Sequence, residues 1–167
     1  VELLRKRKRR PAKPFAVMAR DLEAVQSVCE LSQEQEEILT GHQKPILLLM
    51  KKEIETKQLC SSVAPGNPKV GVMLPYAPVQ LLLFQYPDGI KMPDFLVMTS
   101  GNVSGAPICR SDEEALEELS EFCDCILSHD RKIRVRADDS VMDFYKNRPY
   151  MIRRSRGYAP LPIQTSG

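Results

Sequence analysis

The stretch that most constrains this chain is Phe95-Leu96-Val97-Met98-Thr99-Ser100-Gly101-Asn102-Val103-Ser104-Gly105-Ala106-Pro107-Ile108. Four consecutive apolar residues bounded by turn formers predict a buried strand that halts at two hydroxyls. Beyond it, Gly101 and Gly105 permit backbone conformations that other residues resist, leaving the N–H groups of residues 100–105 free to converge on an outside group. Flanked by the hydroxyls of Thr99, Ser100 and Ser104, a concave set of donors suits phosphate oxygens. The Asn102 amide both donates and accepts, so it suits a carbonyl-bearing group beside them. A tight turn without any ligand accounts for the same letters.

Around that stretch, helical and extended patterns alternate. Residues 2–10 read as the end of a helix halted at Pro11, because the residue before a proline disfavours the helical region. Phe15–Met18 predicts a short strand, and Asp21 an N-cap for a helix with Leu22, Val25, Val28 and Cys29 on one face. Ser32-Gln33-Glu34-Gln35 has capping-box form, starting a helix that ends near Gly41, and Pro45–Met50 predicts a buried strand. Breakers through residues 64–75 predict a loop except near Val70–Leu74. Pro78 opens a helix through Gln85, closed by the turn Pro87-Asp88-Gly89. Ser111-Asp112-Glu113-Glu114 is a second capping box, with Leu116, Leu119 and Phe122 at inward spacing. Cys125–Leu127 predicts a short strand. Ser140–Tyr145 and Tyr150–Arg153 predict two more, joined by Lys146-Asn147-Arg148-Pro149, before an irregular tail from Gly157. The expected fold class is α/β (α+β), a twisted mixed sheet flanked by helices, in a single domain over residues 1–167.

Bulk properties narrow the function. Hydrophobic residues make up 43% and charged residues 28% of the 167, an ordinary globular composition. The longest apolar runs, Ile46–Met50 and Val79–Phe84, are too short to cross a bilayer, and no secretory signal opens the chain. A cytoplasmic protein without a membrane partner is expected. Val1 sits inside an amphipathic helix, so the chain reads as a piece of a longer polypeptide. Net charge is only +2, which excludes polyanion binding by bulk electrostatics. The five cysteines form no CxxC pair and have no histidine at zinc spacing, the pattern of free thiols in a reducing compartment. His42 and His129 stand alone, so neither a catalytic triad nor a metal centre is expected. Chemistry that depends on positive charge and positioning remains, and phosphoryl or nucleotidyl transfer is of that kind.

Three basic clusters could supply the charge. In Lys8-Arg9-Arg10-Pro11-Ala12-Lys13-Pro14, Lys13 lies between two prolines that would fix its backbone, though a solvated helix end has the same composition. In Arg134-Val135-Arg136-Ala137-Asp138-Asp139-Ser140, two arginines alternate on a strand face, and a plain ion-pair network explains them equally well. Arg153-Arg154-Ser155-Arg156-Gly157-Tyr158 can form a multidentate phosphate clamp or a nucleic-acid edge.

As a set, these clusters resemble a known family. Lys8-x-Arg10-Pro11 with Lys13-Pro14, followed by Ser100-x-Asn102 with Ser104-Gly105, is similar to the signature of YrdC-like domains. Arg10–Met18, Val72-Met73-Leu74-Pro75-Tyr76 and Leu96–Asn102 resemble the hydrogenase-maturation carbamoyltransferase (HypF) family. So do His129-Asp130-Arg131, Asp138-Asp139-Ser140-Val141 and Arg153–Tyr158. The resemblance implies a YrdC-like fold with a basic cavity, ATP as cosubstrate, and formation of carbamoyl adenylate with release of pyrophosphate. It implies carbamate derived from carbamoyl phosphate, and delivery of the carbamoyl group to the partner HypE by other domains. It implies too that the family's opening strand and its Lys-Gly-x-Gly-Gly-type loop precede Val1.

Carried over residue by residue, the resemblance gives Lys8, Arg10 and Lys13 the phosphate charge, and makes Ser100 and Ser140 hydroxyl donors. Asn102 takes the carbamoyl end, and Arg154 and Arg156 the leaving pyrophosphate. Ser104, Arg131 and Arg136 are further nucleotide contacts. Magnesium is expected to arrive with ATP, held by phosphates and water, with no metal ligand assigned to the chain. Two alternatives stand beside this reading: threonylcarbamoyl adenylate synthesis for tRNA modification, which shares the Lys-x-Arg and Ser-x-Asn motifs, and a non-catalytic module binding double-stranded RNA through its basic runs.

Overall fold

Alternation of apolar residues across short runs builds a six-stranded sheet in the computed structural model, which describes residues 1–53 and 59–163. In chain order the elements are α1 (Glu2–Arg7), β1 (Ala16–Ala19), α2 (Leu22–Val28), α3 (Gln33–Thr40), β2 (Ile46–Met50), β3 (Lys69–Met73), α4 (Pro78–Gln85), β4 (Phe95–Met98), α5 (Asp112–Leu119), β5 (Val141–Tyr145) and β6 (Arg148–Arg153). The sheet order is β4-β1-β3-β2-β5-β6. β1 runs parallel to β3 and β2 parallel to β5, and the remaining neighbours are antiparallel. This is the mixed α/β architecture expected.

Side chains on a strand alternate between faces, which gives the sheet two different surfaces. Val17, Ala19, Leu47, Leu49, Val70 and Val72 point to one face and are buried with Val25 and Val28 of α2 and Leu39 of α3. Both helices begin where the sequence predicts. Asp21 accepts from the Ala24 N–H, and Ser32 forms a complete capping box with Gln35. The opposite face carries Ala16, Gly71, Leu48, Ile46 and Val141, with Met98 beside Ala16. That face is the floor of the site.

One side chain positions the basic segment over this floor. Arg5 on α1 is only 6% exposed. Its guanidinium donates to the carbonyls of Ser62 at 2.9 Å and Val63 at 3.2 Å. It also donates to those of Arg10 at 3.0 Å, Pro11 at 3.3 Å and Lys13 at 3.1 Å. The Phe15 ring lies beneath both Arg5 and Arg10, at 4.7 and 4.5 Å from centroid to guanidinium carbon. α1 itself ends before Pro11. The Arg9 N–H reaches the Lys6 carbonyl and the Arg10 N–H the Arg5 carbonyl, with Arg9 left-handed at φ 48°. Those two bonds define a Schellman motif, here built on an arginine where glycine is usual.

Several expectations need correction. Cys125–Leu127 and the Arg134–Arg136 segment form no strand. Neither pairs with a strand among the described residues, where the sheet ends at β4 and β6, and Leu127 is 79% exposed. The α5 face is not inward: none of its residues is buried and Leu116 is 59% exposed. Ser111 does cap α5, accepting the Glu114 N–H. The Glu114 carboxylate accepts from the Arg110 N–H, so the box stays open on that side. β4 forms as predicted but is an edge strand and only half-buried. The last hairpin turns where expected but in two residues rather than four, Lys146 and Asn147 with φ 49° and 58°, so that β6 starts at Arg148, paired with Tyr145. Pro149 is tolerated there because β6 is an edge. α4 forms at the predicted place, yet Val79, Leu81, Leu82 and Leu83 all stay about half exposed. The tail is irregular as far as Ile163, and residues 164–167 lie outside the described residues. Among the described residues no helix is long and apolar enough to cross a membrane.

Replacing Arg5 by Met keeps the aliphatic stem and removes the guanidinium from five carbonyls, of which Lys13 keeps the Arg10 guanidinium and Val63 the Phe15 N–H. Chemical denaturation of Arg5→Met is expected to show a loss of about 2–4 kcal/mol. Arg9→Gly removes a side chain from a left-handed position and is expected to raise stability by about 0.5–1 kcal/mol in the same measurement.

Candidate functional site

β4 delivers the Thr99–Gly105 turn to the end of the sheet, and α1 delivers the basic segment to the same place. The two are joined directly. The Lys8 ammonium donates to the Ser100 carbonyl at 2.7 Å, and the Ser104 hydroxyl donates to the Lys8 carbonyl at 3.2 Å. The Arg10 guanidinium reaches the Thr99 hydroxyl at 3.4 Å and the carbonyls of Lys13 and Pro14. Within the turn, the Ser100 hydroxyl donates to Asn102 Oδ1 at 2.6 Å, and Asn102 Nδ2 donates to the Ala106 carbonyl at 2.6 Å. The Asn102 N–H also bonds inside the turn, to the Ser100 carbonyl, so it does not join an outward-facing set of donors. Of the two glycines only Gly105 adopts a left-handed φ, at 89°.

Two hollows of about 340 Å³ each meet at Arg10, Lys13 and Ser100. One is lined by Lys8, Asn102, Ser104 and Gly105 together with Pro11 and Ala12. The other has the apolar sheet face as its floor and Asp138, Asp139 and Arg153 across from the basic segment. Lys13 is exposed and lines both, and its ammonium has no partner among the described residues. Burial holds the Lys8 ammonium below its ordinary pKa, and neighbouring Arg10 adds to that. Burial likewise lowers Arg10, with Arg5 contributing. Cations crowded and partly desolvated in this way gain most from an arriving anion.

The structure thus gathers Lys8, Arg10, Lys13, Ser100, Asn102 and Ser104, and places the other expected residues elsewhere. Ser140 is fully buried, and its hydroxyl donates to the Arg156 carbonyl and accepts the Ser155 N–H, both at 2.8 Å. Arg156 donates to Asp139 at 2.7 Å and to the carbonyls of Gln43 and Lys44, and stacks on Tyr76 at 3.4 Å. Gly157 follows at φ 85°, where a Cβ would sit 2.7 Å from the Gln43 carbonyl oxygen, so only glycine lets Arg156 dock this closely. Arg154 is exposed and bonds the Leu161 carbonyl. Arg136 bonds the Ile108 carbonyl at 2.6 Å and the Glu114 carboxylate at 3.0 Å. Arg131 lines a separate hollow of about 480 Å³ with Gly101, Ser111 and His129.

Two contributors were not singled out from sequence. Arg5 looked like one cation among the seven of residues 5–13. Arg153 lines the floored hollow, paired to Asp138 at 3.4 Å, where the sequence reading favoured its neighbours. Strand alternation could have found Arg153, because it shares a face with Val141. Among the described residues no group of three His, Cys, Asp or Glu is placed to hold a metal ion.

Comparison with known proteins bears on the family and the fold. The Sua5/YciO/YrdC family model, described as "Telomere recombination", matches residues 1–155. The chain is 43% identical to the carbamoyltransferase HypF of Synechocystis sp. over 165 residues, covering 98% of this chain and 20% of that protein. It is 44% identical to the carbamoyltransferase HypF of Rhodobacter capsulatus, covering 98% and 21%. It therefore spans about a fifth of the length of the curated relatives it matches. A crystal structure of full-length HypF in a phosphate- and nucleotide-bound form superposes with a TM-score of 0.88 at 47% identity, covering 97% of this chain and 24% of that one. Sua5 of P. abyssi complexed with L-threonine superposes at 0.73 over 92% of this chain and 44% of that one, with 22% identity, a likeness of fold. The chain belongs to the Sua5/YciO/YrdC family, as a YrdC-like domain of the kind that HypF carbamoyltransferases carry.

Proposed function

We propose that this domain binds ATP and joins carbamate to its α-phosphate, forming carbamoyl adenylate and pyrophosphate. The observation that carries the reading is the direct bonding of two segments 92 residues apart, the cationic run and the hydroxyl–amide turn, around one hollow. A carbamate oxygen attacks the α-phosphorus. The bond from that phosphorus to the bridging oxygen breaks, and pyrophosphate departs with the electron pair. Lys13 and Arg10 stabilise the charge that gathers on the phosphoryl oxygens, with Lys8 behind them. The Ser100 and Ser104 hydroxyls spend their protons on Asn102 Oδ1 and the Lys8 carbonyl, so in place of the expected donor role they lock the turn and its amide against the basic segment. Asn102 uses one amide hydrogen on Ala106, and the other is available to the carbamate. In this reading Ser140, Arg136 and Arg156 brace the walls, and Arg153 faces the nucleotide in place of Arg154. Magnesium enters with ATP and is held by phosphate oxygens and water.

Support for a nucleotide comes from the HypF structure described as phosphate- and nucleotide-bound. By the same likeness, the carbamate originates from carbamoyl phosphate and the product serves carbamoyl transfer to HypE in hydrogenase maturation. Those steps would belong to the remaining length of a HypF-type polypeptide.

Incubation of the protein with ATP and carbamate should release pyrophosphate, whereas threonine with bicarbonate should not. The reverse pattern would assign the threonylcarbamoyl reaction instead, and ATP-indifferent binding of duplex RNA would reject both. Lys13→Ala should lower the rate of pyrophosphate release on the order of a hundredfold with an unchanged melting temperature, and a wild-type rate would remove Lys13 from the site. Because the Lys8 ammonium is held below 10.5, an anion bound there should draw a proton onto it at alkaline pH. ATP affinity should accordingly fall as pH rises from neutrality toward 10.5, with proton uptake seen by calorimetry in buffers of different ionisation enthalpy. Lys8→Met should flatten that pH dependence.

A further inference from the structure

Arg9 holds a left-handed backbone, φ 48°, at the position after α1 where glycine is usual. That conformation costs stability in any residue with a Cβ. Backbone demands alone therefore favour glycine there, and nothing within the described residues offsets the choice of arginine. The side chain is exposed, and its guanidinium makes no hydrogen bond or ion pair among the described residues. Nor does the end of α1 call for it, because Arg5, Lys6 and Arg7 already place positive charge in the last turn.

Most of the neighbouring cations are committed to the fold. Arg5 gathers carbonyls, and Arg7 bonds the Phe122 carbonyl at 2.8 Å and Asp124 at 3.1 Å. Lys8 is tied to the Ser100 carbonyl, and Arg10 to Thr99 and the Lys13 carbonyl. Arg9 and Lys13 have no such bond among the described residues, and both line the hollow that Lys8, Asn102 and Ser104 enclose. Lys13 also borders the hollow over the sheet, whereas Arg9 does not. Lys6, exposed and of the same charge, borders neither.

We infer that Arg9 is a further ligand-binding residue of the site and holds the two terminal phosphoryl groups of ATP, those that leave as pyrophosphate. The inference rests on the proposed ATP reading and fills a place in it. Arg154 and Arg156, the cations expected to meet pyrophosphate, bond the Leu161 carbonyl and Asp139 instead. Pyrophosphate departs with the electron pair of the broken bond, so negative charge on its oxygens grows as it leaves. A guanidinium presents two parallel N–H donors to such oxygens. Arg9 gives up no internal bond to do so, unlike Lys8 and Arg10. Its left-handed turn is then a stability cost retained for binding, and one substitution separates the two effects.

Calorimetry measures binding of inorganic pyrophosphate and of ATP to the wild type, Arg9→Gly, Arg9→Lys and Lys6→Ala, with melting temperatures alongside. Arg9→Gly is expected to melt higher than the wild type while binding both ligands about tenfold more weakly or worse. Arg9→Lys keeps the charge without the planar fork and should fall between the two. Lys6→Ala removes the same charge outside the hollow and should stay within about twofold of the wild type. Wild-type affinities in Arg9→Gly would overturn the assignment and leave the ATP reading standing. So would an equal loss in Lys6→Ala, the mark of general attraction, or a loss in Arg9→Gly accompanied by a lower melting temperature. A wild type that binds neither ligand would overturn the proposed function and the role of Arg9 with it.

Discussion

A single buried guanidinium holds the basic segment in shape. Seven cations crowd residues 5–13, and in an isolated peptide they would repel one another and extend. Arg5 turns inward instead and gathers carbonyl oxygens from both the run it belongs to and the Ser62–Val63 turn. Each carbonyl presents partial negative charge to the guanidinium, so among the described residues burial of Arg5 is compensated by carbonyls with no carboxylate bonded to it. That choice of partner matters for the site. A nearby acid would have neutralised the field that Lys8, Arg10 and Lys13 project into the hollow.

The sheet supplies the complementary constraint. Its helix-covered face is filled by Val, Leu and Ala residues and makes the core, while the face below the basic segment is left partly open. The far wall is fixed by a chain of contacts from β2 to the end of β6. Arg156 joins Asp139 to the carbonyls of Gln43 and Lys44, and the Ser140 hydroxyl stitches residues 155 and 156 to the start of β5. Charges of opposite sign thus face each other across the hollow, but the acids are already paired with Arg153 and Arg156. Lys13 remains a charge at the rim with no partner among the described residues.

Much of this was legible in the residues. Capping boxes and N-caps located α2 and α3, and four-to-five-residue apolar runs located β2 and β4, because those signals are local. The Lys8-x-Arg10 and Ser100-x-Asn102 motifs named the residues that do come together. Three things were not legible. The Leu116, Leu119 and Phe122 spacing indicated a buried face, yet spacing shows only that a helix could bury one, and nothing in α5 states whether a neighbour exists. Cys125–Leu127 had strand composition, but pairing depends on a free sheet edge next to it. Arg5 was indistinguishable from Lys6 or Arg7 by type. What separates it is the direction its side chain leaves α1, a property fixed only once the Schellman turn at Arg9 has folded the following segment back.

The sheet's two outer strands differ in chemistry. β6 is protected by Arg148, Pro149 and Arg153, which discourage another strand from aligning with it. β4 is Phe-Leu-Val-Met, half-buried, with no charge and no proline, and the chain also carries the uncovered leucines of α4. The two borders therefore differ in how they meet an approaching strand: β6 answers it with charge and a missing N–H, and β4 with a half-buried apolar run that has neither safeguard.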